Sequence, residues 1–361
     1  MSKVRLTGAE IIWECLIREG VNVVFGYPGG AILPTYDALG KYSDKVHHVL
    51  TRHEQGATHM ADGYARSSGK VGVAMATSGP GAANMVTGLA TAMMDSIPIV
   101  CITGQVPRPA IGSDAFQEMD ISGAVIPVTK HSYLVMEIEN LARTIKEAFA
   151  IARSGRPGPV LVDIPKDLQA EEFDFIYPEE PILLPGENPV INDIDLNSLE
   201  QAASLISESK RPVILAGHGI LLSGASKEVI ELSEKGNIPS SWTLLGSGAV
   251  PASHHLNMGM MGMHGEFAAN NAIQKADLLI ACGMRFDDRV TGNTKSYSLE
   301  SKKIHIEIDP SEINKNVPVD VAIVGDLKSI LTKLIPLLKK QQNSSWTDKI
   351  EDWRKESQSR D

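Results

Sequence analysis

The chain has 361 residues, of which 43% are hydrophobic and 22% charged, and its formal net charge at pH 7 is -10. That length is sufficient for about two α/β domains, each with its own core. The acidic balance, without a local Lys/Arg cluster, argues against nonspecific binding to nucleic acid or acidic lipid, so neither partner is expected.

Residues 1–20 carry no apolar core of the kind found in secretion signals, and no apolar run elsewhere approaches the length of a membrane span. Thr7 and Glu10 instead have the spacing of a capping box, which predicts the start of an amphipathic helix. The three cysteines lack metal-ligand spacing, and we expect them to be buried and reduced. These features predict a cytoplasmic protein without a membrane partner, although an organellar protein that has lost its transit peptide would look the same.

Between residues 7 and 164, strand-like apolar runs alternate with helical stretches. Such alternation is typical of a parallel sheet with helices on both faces. We therefore predict a first domain over residues 1–167. Its predicted strands are 21–25, 46–51, 71–77, 99–103 and 160–164.

A carboxylate and a glycine-rich turn follow two consecutive predicted strands of this domain. Glu54 begins a predicted helix over 54–66, where a negative charge is favourable on electrostatic grounds alone. The turn SGPG at 78–81 follows the next strand, and its glycines allow close approach of the backbone to a ligand. Because open α/β sheets bind ligands at the carboxyl ends of their strands, we predict that Glu54 and this turn belong to one site.

Residues 168–194 are rich in proline and acid and show neither helical nor strand periodicity, which predicts an interdomain linker. The α/β alternation then resumes and predicts a second domain over 195–340. Its predicted elements are a helix over 196–209, strands over 213–216, 278–282 and 304–308, and a helix over 327–338.

The last segment, 341–361, is polar but carries Trp346, Ile350 and Trp353 at spacings of four and three residues. This spacing predicts one short amphipathic helix. Its apolar stripe needs a partner, so we expect a connector toward a further, diphosphate-binding domain.

Several motifs carry a resemblance to a known family. They are FGYPGGA at 25–31, the segment 52–84 with Glu54 and SGPG, GQVPR at 104–108, DAFQE at 114–118, GMHG at 262–265 and RFDDRVTG at 285–292. Together they resemble the large catalytic subunit of acetolactate synthase, also called acetohydroxyacid synthase, a thiamine-diphosphate enzyme. The resemblance extends over nearly the whole chain, and RFDDRVTG is its most specific motif.

The resemblance implies two doubly wound parallel-sheet domains: a thiamine pyrimidine-binding domain and a central, FAD-binding domain of the DHS-like Rossmann type. It implies a transferase that decarboxylates pyruvate and joins the product to pyruvate or 2-oxobutyrate, giving 2-acetolactate or 2-aceto-2-hydroxybutyrate for branched-chain amino-acid biosynthesis. The implied cofactors are thiamine diphosphate, FAD and Mg²⁺. The implied assembly is a homodimer or tetramer, with a small regulatory subunit as a candidate partner.

Three positions match catalytic residues of the family, namely Gly30, Glu54 and Gln117. In the family, the carboxylate at the position of Glu54 hydrogen-bonds the aminopyrimidine ring and serves acid/base chemistry relayed through the cofactor. Further matches are Pro28, Gly29, Gly79 and Asn84 for the thiamine cofactor, and Phe116, Lys166, Met263 and Arg289 for the substrate. Taken alone, the loop at 27–31 is equally well explained as an ordinary turn between strand and helix.

FAD would be structural in such an enzyme, because joining two 2-oxoacids involves no net redox change. The positions that match its contacts are Arg156, Gly217, Gly219, Thr243, Leu244, His264, Arg285, Asp287, Arg289, Asp309 and Asp326. From the residues alone, the Gly-x-Gly turn at 217–219 is a weak dinucleotide signal. On chemistry alone, a surface ion-pair cluster is the preferred explanation of the charges at 285–289, and it is the resemblance that favours FAD contacts there.

The family holds Mg²⁺ and the diphosphate with a third domain that contains a Gly-Asp-Gly motif. No Gly-Asp-Gly occurs in this sequence, so no metal ligand is assigned to it. We expect a truncated chain, or one whose diphosphate-binding domain is a separate polypeptide, and expect it to be inactive alone. The alternatives are a glyoxylate carboligase, a 2-oxoacid oxidase or a noncatalytic flavin-binding remnant. A nicotinamide-dependent dehydrogenase is a weaker one, because the first βα unit lacks the expected glycine-rich turn.

Overall fold

The computed structural model describes residues 4–182, 194–342 and 344–358. They form two compact units, one within Met1–Glu187 and one within Asn188–Asp361. In the part of the chain that the structure describes, no helix has both the length and the apolar character needed to cross a membrane.

The first unit is built on a six-stranded parallel sheet in the order β3-β2-β4-β5-β7-β6, and β1 pairs with β8 in a separate antiparallel pair. The strands are β1 Val4–Thr7, β2 Val23–Gly26, β3 His47–Leu50, β4 Gly72–Ala76, β5 Ile99–Gln105, β6 His131–Leu134, β7 Val160–Pro165 and β8 Glu172–Phe175. The helices are α1 Gly8–Arg18, α2 Leu33–Ala38, α3 Glu54–Ser68, α4 Pro80–Ala83, α5 Val86–Asp95, α6 Ile121–Ala124, α7 Ile138–Arg153 and α8 Lys166–Ala170.

All five strands predicted in this unit are present, and their order in the sheet is that of a doubly wound fold. The predicted capping box is confirmed, since Glu10 N donates to Thr7 Oγ1 at 3.3 Å and Thr7 N donates to Glu10 Oε2 at 2.8 Å. The predicted helix at Glu54 begins at that residue and ends before Gly69, which has a left-handed φ of 70°. The cysteines Cys15, Cys101 and Cys282 are buried and free of disulfides, as expected.

The first part of the predicted linker 168–194 is regular structure. Residues 166–170 form α8, and β8 pairs with β1 in the register Val4↔Phe175 to Thr7↔Glu172. The first fifteen residues of the predicted segment therefore include structure of the first unit, because a strand pair holds them there. Residues 183–193, the rest of the predicted linker before Ile194, lie outside the described residues.

The second unit contains another six-stranded parallel sheet, in the order β11-β10-β9-β12-β13-β14. Its strands are β9 Pro212–Ala216, β10 Ser240–Trp242, β11 Asn257–Met260, β12 Leu278–Cys282, β13 Lys302–Glu307 and β14 Val321–Val324. Its helices are α9 Leu196–Glu208, α10 Gly219–Leu222, α11 Ser226–Gly236, α12 Phe267–Lys275, α13 Asp288–Thr291, α14 Leu327–Leu334 and α15 Ser344–Gln358. The expected fold class, α/β with two parallel-sheet domains, is confirmed.

The apolar stripe on α15 packs inside the second unit. Trp346 is 4% exposed, Ile350 is 3% exposed, and both join a cluster that includes Met258 and Met261. The Trp346 indole donates to the carbonyl of Pro212 at 3.1 Å. The predicted helix is therefore present, and the partner that its apolar stripe needs is the core of its own unit. The role of this segment as a connector toward a further domain stays a prediction.

Candidate functional site

In the first sheet, β2 lies between β3 and β4. The chain passes from β2 to β3 on one side and then crosses over to β4 on the other side of β2. The carboxyl ends of β2 and β4 form the topological switch point at which open α/β sheets bind ligands. The loops after these two strands pack together, since Ala31 N donates to Thr77 Oγ1 at 3.1 Å. A Cβ atom added to Gly29 would lie 2.5 Å from Thr77 Cγ2, so this packing requires glycine.

Glu54 lies beside this switch point as the first residue of α3, and it is 8% exposed. Asn84 Nδ2 donates to Glu54 Oε2 at 2.9 Å. A Cβ atom added to Gly81 would lie 3.3 Å from Glu54 Oε1, so the absent side chain leaves space beside that oxygen. The structure thus brings together the carboxylate and the SGPG turn, as the sequence predicts, and places Asn84 against them.

Tyr36 is a further member of this region that the sequence did not reveal. Its hydroxyl lies 3.1 Å from His48 Nε2 and occupies the space that a side chain on Gly26 would need. Burial raises the pKa of the Tyr36 phenol, and the negative charge of Glu54 raises it further. The phenol therefore stays protonated, and a neutral hydrogen-bonding group lies near the carboxylate.

The loop with Phe116 and Gln117 packs against the SGPG turn. Gly79 has a φ of 53°, and a Cβ atom added to it would lie 2.5 Å from the carbonyl oxygen of Gln117. Gln117 itself has a φ of 59°, and the side chain of Phe116 is 87% exposed. The backbone of Gln117 is therefore fixed at the switch point, while Phe116 extends into solvent.

The remaining predicted residues of the first unit differ in their surroundings. A Cβ atom added to Gly30 would meet nothing within 4 Å, so the loop is open at this position, beside the half-buried Pro28. Lys166 is the half-buried first residue of α8. That helix is joined to the same loop, because Gln169 Nε2 donates to the carbonyl of Ala31 at 2.9 Å.

The switch point of the second sheet lies between β9 and β12. Gly217 and Gly219 follow β9 and pack against the backbone of Gly283, which follows β12. Gly219 N donates to the carbonyl of Gly283 at 2.9 Å. Gly246, after β10, packs equally closely on the carbonyl of Ala216. The glycines of the predicted Gly-x-Gly turn are thus required by contact between neighbouring turns, which is sufficient to explain them without a ligand.

Thr243 and Leu244 lie at the same edge of this sheet. Thr243 N donates to the carbonyl of Ala216 at 3.0 Å, and its hydroxyl accepts from Gly246 N at 3.1 Å. The side chain of Leu244 is 74% exposed. Thr243 is therefore fixed by its own turn, and the apolar side chain of Leu244 beside it is exposed at the carboxyl end of β10.

Met263 and Arg289, far apart in sequence, are in contact. Met263 N donates to the carbonyl of Arg289 at 2.8 Å, and Arg289 Nη1 lies 3.5 Å from Met263 Sδ. Asp287 caps α13 by accepting from Arg289 N at 3.0 Å. Arg285 Nη2 lies 3.9 Å from Asp287 Oδ2. This ion pair is loose, so it occupies few of the N–H donors of the Arg285 guanidinium. His264 follows Met263 and is exposed.

Two predicted carboxylates serve as caps. Asp309 Oδ1 accepts from Ser311 N at 2.9 Å after β13, and Asp326 Oδ2 accepts from Ser329 N at 2.8 Å at the start of α14. Arg156 belongs to the first unit, where its Nε donates to Ser96 Oγ at 2.8 Å. Among the residues that the structure describes, no group of three or more His, Cys, Asp or Glu side chains could hold a metal ion.

Two protein families match the two units. Residues 6–124 match the N-terminal TPP binding domain of thiamine pyrophosphate enzymes, and residues 199–334 match the central domain of the same enzymes. The chain belongs to the thiamine pyrophosphate enzymes. The expected family is thereby confirmed, and the switch point with Glu54 lies in the domain described as TPP binding.

Several proteins named acetolactate synthase are similar to the chain over almost all of its length. The probable acetolactate synthase large subunit of Methanocaldococcus jannaschii is 50% identical over 97% of this chain and 60% of the relative. The acetolactate synthase of Mycobacterium bovis is 51% identical over 97% of this chain and 56% of the relative. That of Arthrospira platensis is 49% identical over 96% and 60%, respectively. The chain thus spans between 56% and 60% of the length of these curated relatives.

Proposed function

We propose that the chain provides the pyrimidine-binding and central domains of an acetolactate synthase large subunit, which decarboxylates pyruvate and joins the product to pyruvate or 2-oxobutyrate. The names of relatives that are about 50% identical support this proposal. The observation that carries it is the buried Glu54 carboxylate, which lies at the switch point with one oxygen bonded to Asn84 and the other beside Gly81.

These residues fit the aminopyrimidine end of thiamine diphosphate. Asn84 holds Glu54 Oε2, so Glu54 Oε1 remains available to accept a hydrogen bond from a ligand, and the missing side chain of Gly81 leaves room for it. The bound cofactor supplies the acidic carbon on which the decarboxylation of a 2-oxoacid depends. Glu54 would hold or release a proton at the pyrimidine ring, which is general acid/base work. Pro28, Gly29 and the open Gly30 would line the same crevice.

The substitution Glu54→Gln tests this role in the protein extended through the remainder of its relatives' length. The glutamine keeps the size of the side chain but removes its charge and most of its proton affinity. Acetolactate formation from pyruvate with thiamine diphosphate, Mg²⁺ and FAD should fall by about 100-fold or more. Glu139→Gln is the matched control, because Glu139 is an exposed acid in the first turn of α7. Wild-type turnover in Glu54→Gln would refute the assignment.

For the substrate, we propose that Met263 and Arg289 of the second unit contact the incoming 2-oxoacid. Phe116, Gln117 and Lys166 of the first unit are separate candidates for substrate contacts. The Arg289 guanidinium contacts a thioether and is exposed, so its forked donors can pair with the carboxylate of an incoming 2-oxoacid. The expected result of Arg289→Leu is an increase of at least tenfold in the KM for pyruvate. An unchanged KM would contradict this role.

For FAD, we propose a structural role in the central domain, with contacts from the turns after β9, β10 and β12 and from Arg285. These turns meet at the switch point of the second sheet, where a dinucleotide would bind. Thr243, Leu244, His264 and the caps Asp287, Asp309 and Asp326 remain candidate contacts within the second unit. Arg156, which belongs to the first unit, is a separate candidate for a flavin contact. Arg285→Ala should weaken FAD binding about tenfold in a flavin fluorescence titration, and Arg143→Ala, an exposed change in the first unit, should not.

We propose a cytoplasmic homodimer or tetramer, with a small regulatory subunit as a further partner. The phrase "large subunit" in the names of relatives supports a second kind of chain in their assemblies. The relatives are longer than this chain, and we propose that Mg²⁺ and the diphosphate are held by the part of the family's fold that the chain does not match.

A further inference from the structure

The first unit contains a buried carboxylate outside the Glu54 site. Asp163, near the carboxyl end of β7, is 1% exposed. Thr103 Oγ1 donates to its Oδ1 at 2.7 Å, and Gln105 Nε2 donates to its Oδ2 at 2.8 Å. Both donors are neutral side chains of the adjacent strand β5, and a buried carboxylate without a cationic partner is costly to maintain.

Gln105 connects this carboxylate to the loop that follows its own strand. Its Nε2 also donates to the carbonyl of Met119 at 2.8 Å, and its Oε1 accepts from Val106 N at 2.8 Å. The Asp163 carboxylate and the Met119 carbonyl both accept hydrogen bonds, so the amide group can take only this orientation. Gln105 therefore ties both ends of the segment 106–119 to one buried point.

This segment, which we call the acceptor loop, carries Phe116 and Gln117. Gln117 adopts a left-handed backbone conformation against Gly79, and such conformations persist only where the surroundings fix them. A second fixed point lies near the start of the loop, where Arg108 Nε donates to Asp167 Oδ2 at 2.7 Å. The acceptor loop is thus held at Arg108 by an ion pair. Its two ends are held by hydrogen bonds to Gln105, which is itself bonded to the Asp163 carboxylate.

We propose that Asp163 is a positioning residue, which acts through Gln105 to hold the acceptor loop on the Gly79 turn and so fixes the place of Phe116 and Gln117 at the switch point. The consequence for the reaction rests on the proposed function, whereas the mechanical role does not. Asp163 contacts neither site residue directly, so its effect on them passes through Gln105 and the loop backbone.

The donor and acceptor roles of Asp163, Thr103 and Gln105 predict which variants should keep the anchor and which should lose it. In Asp163→Asn, the asparagine oxygen still accepts from Gln105, and its Nδ2 can donate to the Thr103 oxygen once that hydroxyl rotates. The anchor should then survive without the charge. With Thr103→Val added, the asparagine Nδ2 has no acceptor, and the tie to Gln105 should weaken. In Gln105→Met, chain length is kept, but both donors are lost and the carbonyl of Met119 loses its partner.

Hydrogen exchange of the full chain, followed by mass spectrometry, tests the mechanical role without any assay of activity. Peptides covering 106–120 should exchange about tenfold faster in Gln105→Met, as expected for the loss of a buried hydrogen bond. The double variant Thr103→Val/Asp163→Asn should behave similarly, while Asp163→Asn alone should stay within about twofold of wild type. Peptides from α9 and α14 of the second unit are the internal control. Wild-type exchange at 106–120 in both Gln105→Met and the double variant would overturn the proposal.

The extended enzyme then separates positioning from general structure. Gln105→Met should lower kcat by about 10 to 100-fold, because small misplacements of reacting groups have effects of that size. Its affinity for thiamine diphosphate should be unchanged, since Glu54 and Asn84 are untouched, and Asp163→Asn should retain activity. A loss of cofactor affinity equal to the loss of kcat would contradict positioning. If the wild-type extended enzyme forms no acetolactate, the proposed function is refuted. The hydrogen-exchange result would still decide whether Asp163 and Gln105 hold the acceptor loop.

Discussion

Asn84 donates a hydrogen bond to Glu54 across the carboxyl ends of the first sheet, with 2.9 Å between Asn84 Nδ2 and Glu54 Oε2. The two residues are thirty positions apart: Glu54 begins the helix that follows β3, and Asn84 follows α4, the short helix after β4. The bond restrains the carboxylate and occupies one of its oxygens. In a site that works by proton exchange at the other oxygen, this donor sets the orientation of Glu54.

The first prediction follows from that bond. In Asn84→Asp, a second carboxylate faces Glu54, and like charges at this distance cannot both ionise easily. We expect thiamine diphosphate affinity to fall by about tenfold or more at pH 8, with partial recovery toward pH 6 as one carboxyl takes up a proton. Titration calorimetry on the extended protein at both pH values measures this. Asn140→Asp, an exposed change at the start of α7, should leave affinity unchanged at both.

The second prediction concerns the contact between Gly79 and Gln117. Gly79→Ala introduces both an unfavourable left-handed residue and a steric clash, since the new Cβ would lie 2.5 Å from the Gln117 carbonyl oxygen. Gly112→Ala is the matched control, because Gly112 has a φ of 82° but open space around it. We expect the control to lose about 1 kcal/mol of unfolding free energy in urea, the usual cost of a left-handed residue.

Gly79→Ala should lose a further 1 to 3 kcal/mol, roughly the cost of overpacking. Exchange in residues 106–120 should also increase, since the acceptor loop must move away. Equal losses in the two variants would show that the loop does not rest on Gly79 in solution.

The third prediction tests the packing of α15. Trp346→Ala removes a buried indole together with its hydrogen bond to the carbonyl of Pro212, which should destabilise the second unit by about 3 to 5 kcal/mol. Calorimetric unfolding of the chain should show this loss in the transition assigned to the second unit. Trp353→Ala, at a half-buried position of the same helix, should cost less. Equal stability of wild type and Trp346→Ala would mean that α15 does not pack on its own unit.

Apart from β10, the interior strands of both sheets can be predicted from the sequence because burial on two faces makes them continuous apolar runs. The strands that were missed are short or polar. β6 reads HSYL at the sheet edge, β10 reads SSW, and β11 contains a glycine, so periodicity gives no signal for them. Their places depend on pairing with neighbours, which is a property of the tertiary fold.

In the candidate site, too, local features can be predicted from the sequence and features that depend on tertiary packing cannot. Glu54 and the SGPG turn could be recognised because strand-to-helix connections are local features. Tyr36 could not, since its hydroxyl reaches the region only through packing on Gly26. The stripe on α15 was correctly assigned to a helix, but its partner could not be inferred, because a periodic stripe shows that burial occurs and not which surface provides it.

The fourth prediction concerns pH and Asp163. Burial raises the pKa of this carboxyl to about 6, against the opposing hydrogen bonds from Thr103 and Gln105, and the charge of Asp120 raises it further. The folded protein therefore binds this proton more tightly than the unfolded chain, and the contribution of Asp163 to stability falls as pH rises between about 4 and 6. Asp163→Asn is neutral at every pH, so its unfolding free energy relative to wild type should rise across that window by up to about 3 kcal/mol and stay constant above it. Urea unfolding at pH 4.5 and pH 7.5 checks this, with Asp114→Asn, an exposed change in the acceptor loop, as control. If the difference in unfolding free energy between Asp163→Asn and wild type does not change with pH, Asp163 does not titrate in this window. Burial then does not disfavour the charged form of this carboxyl as proposed.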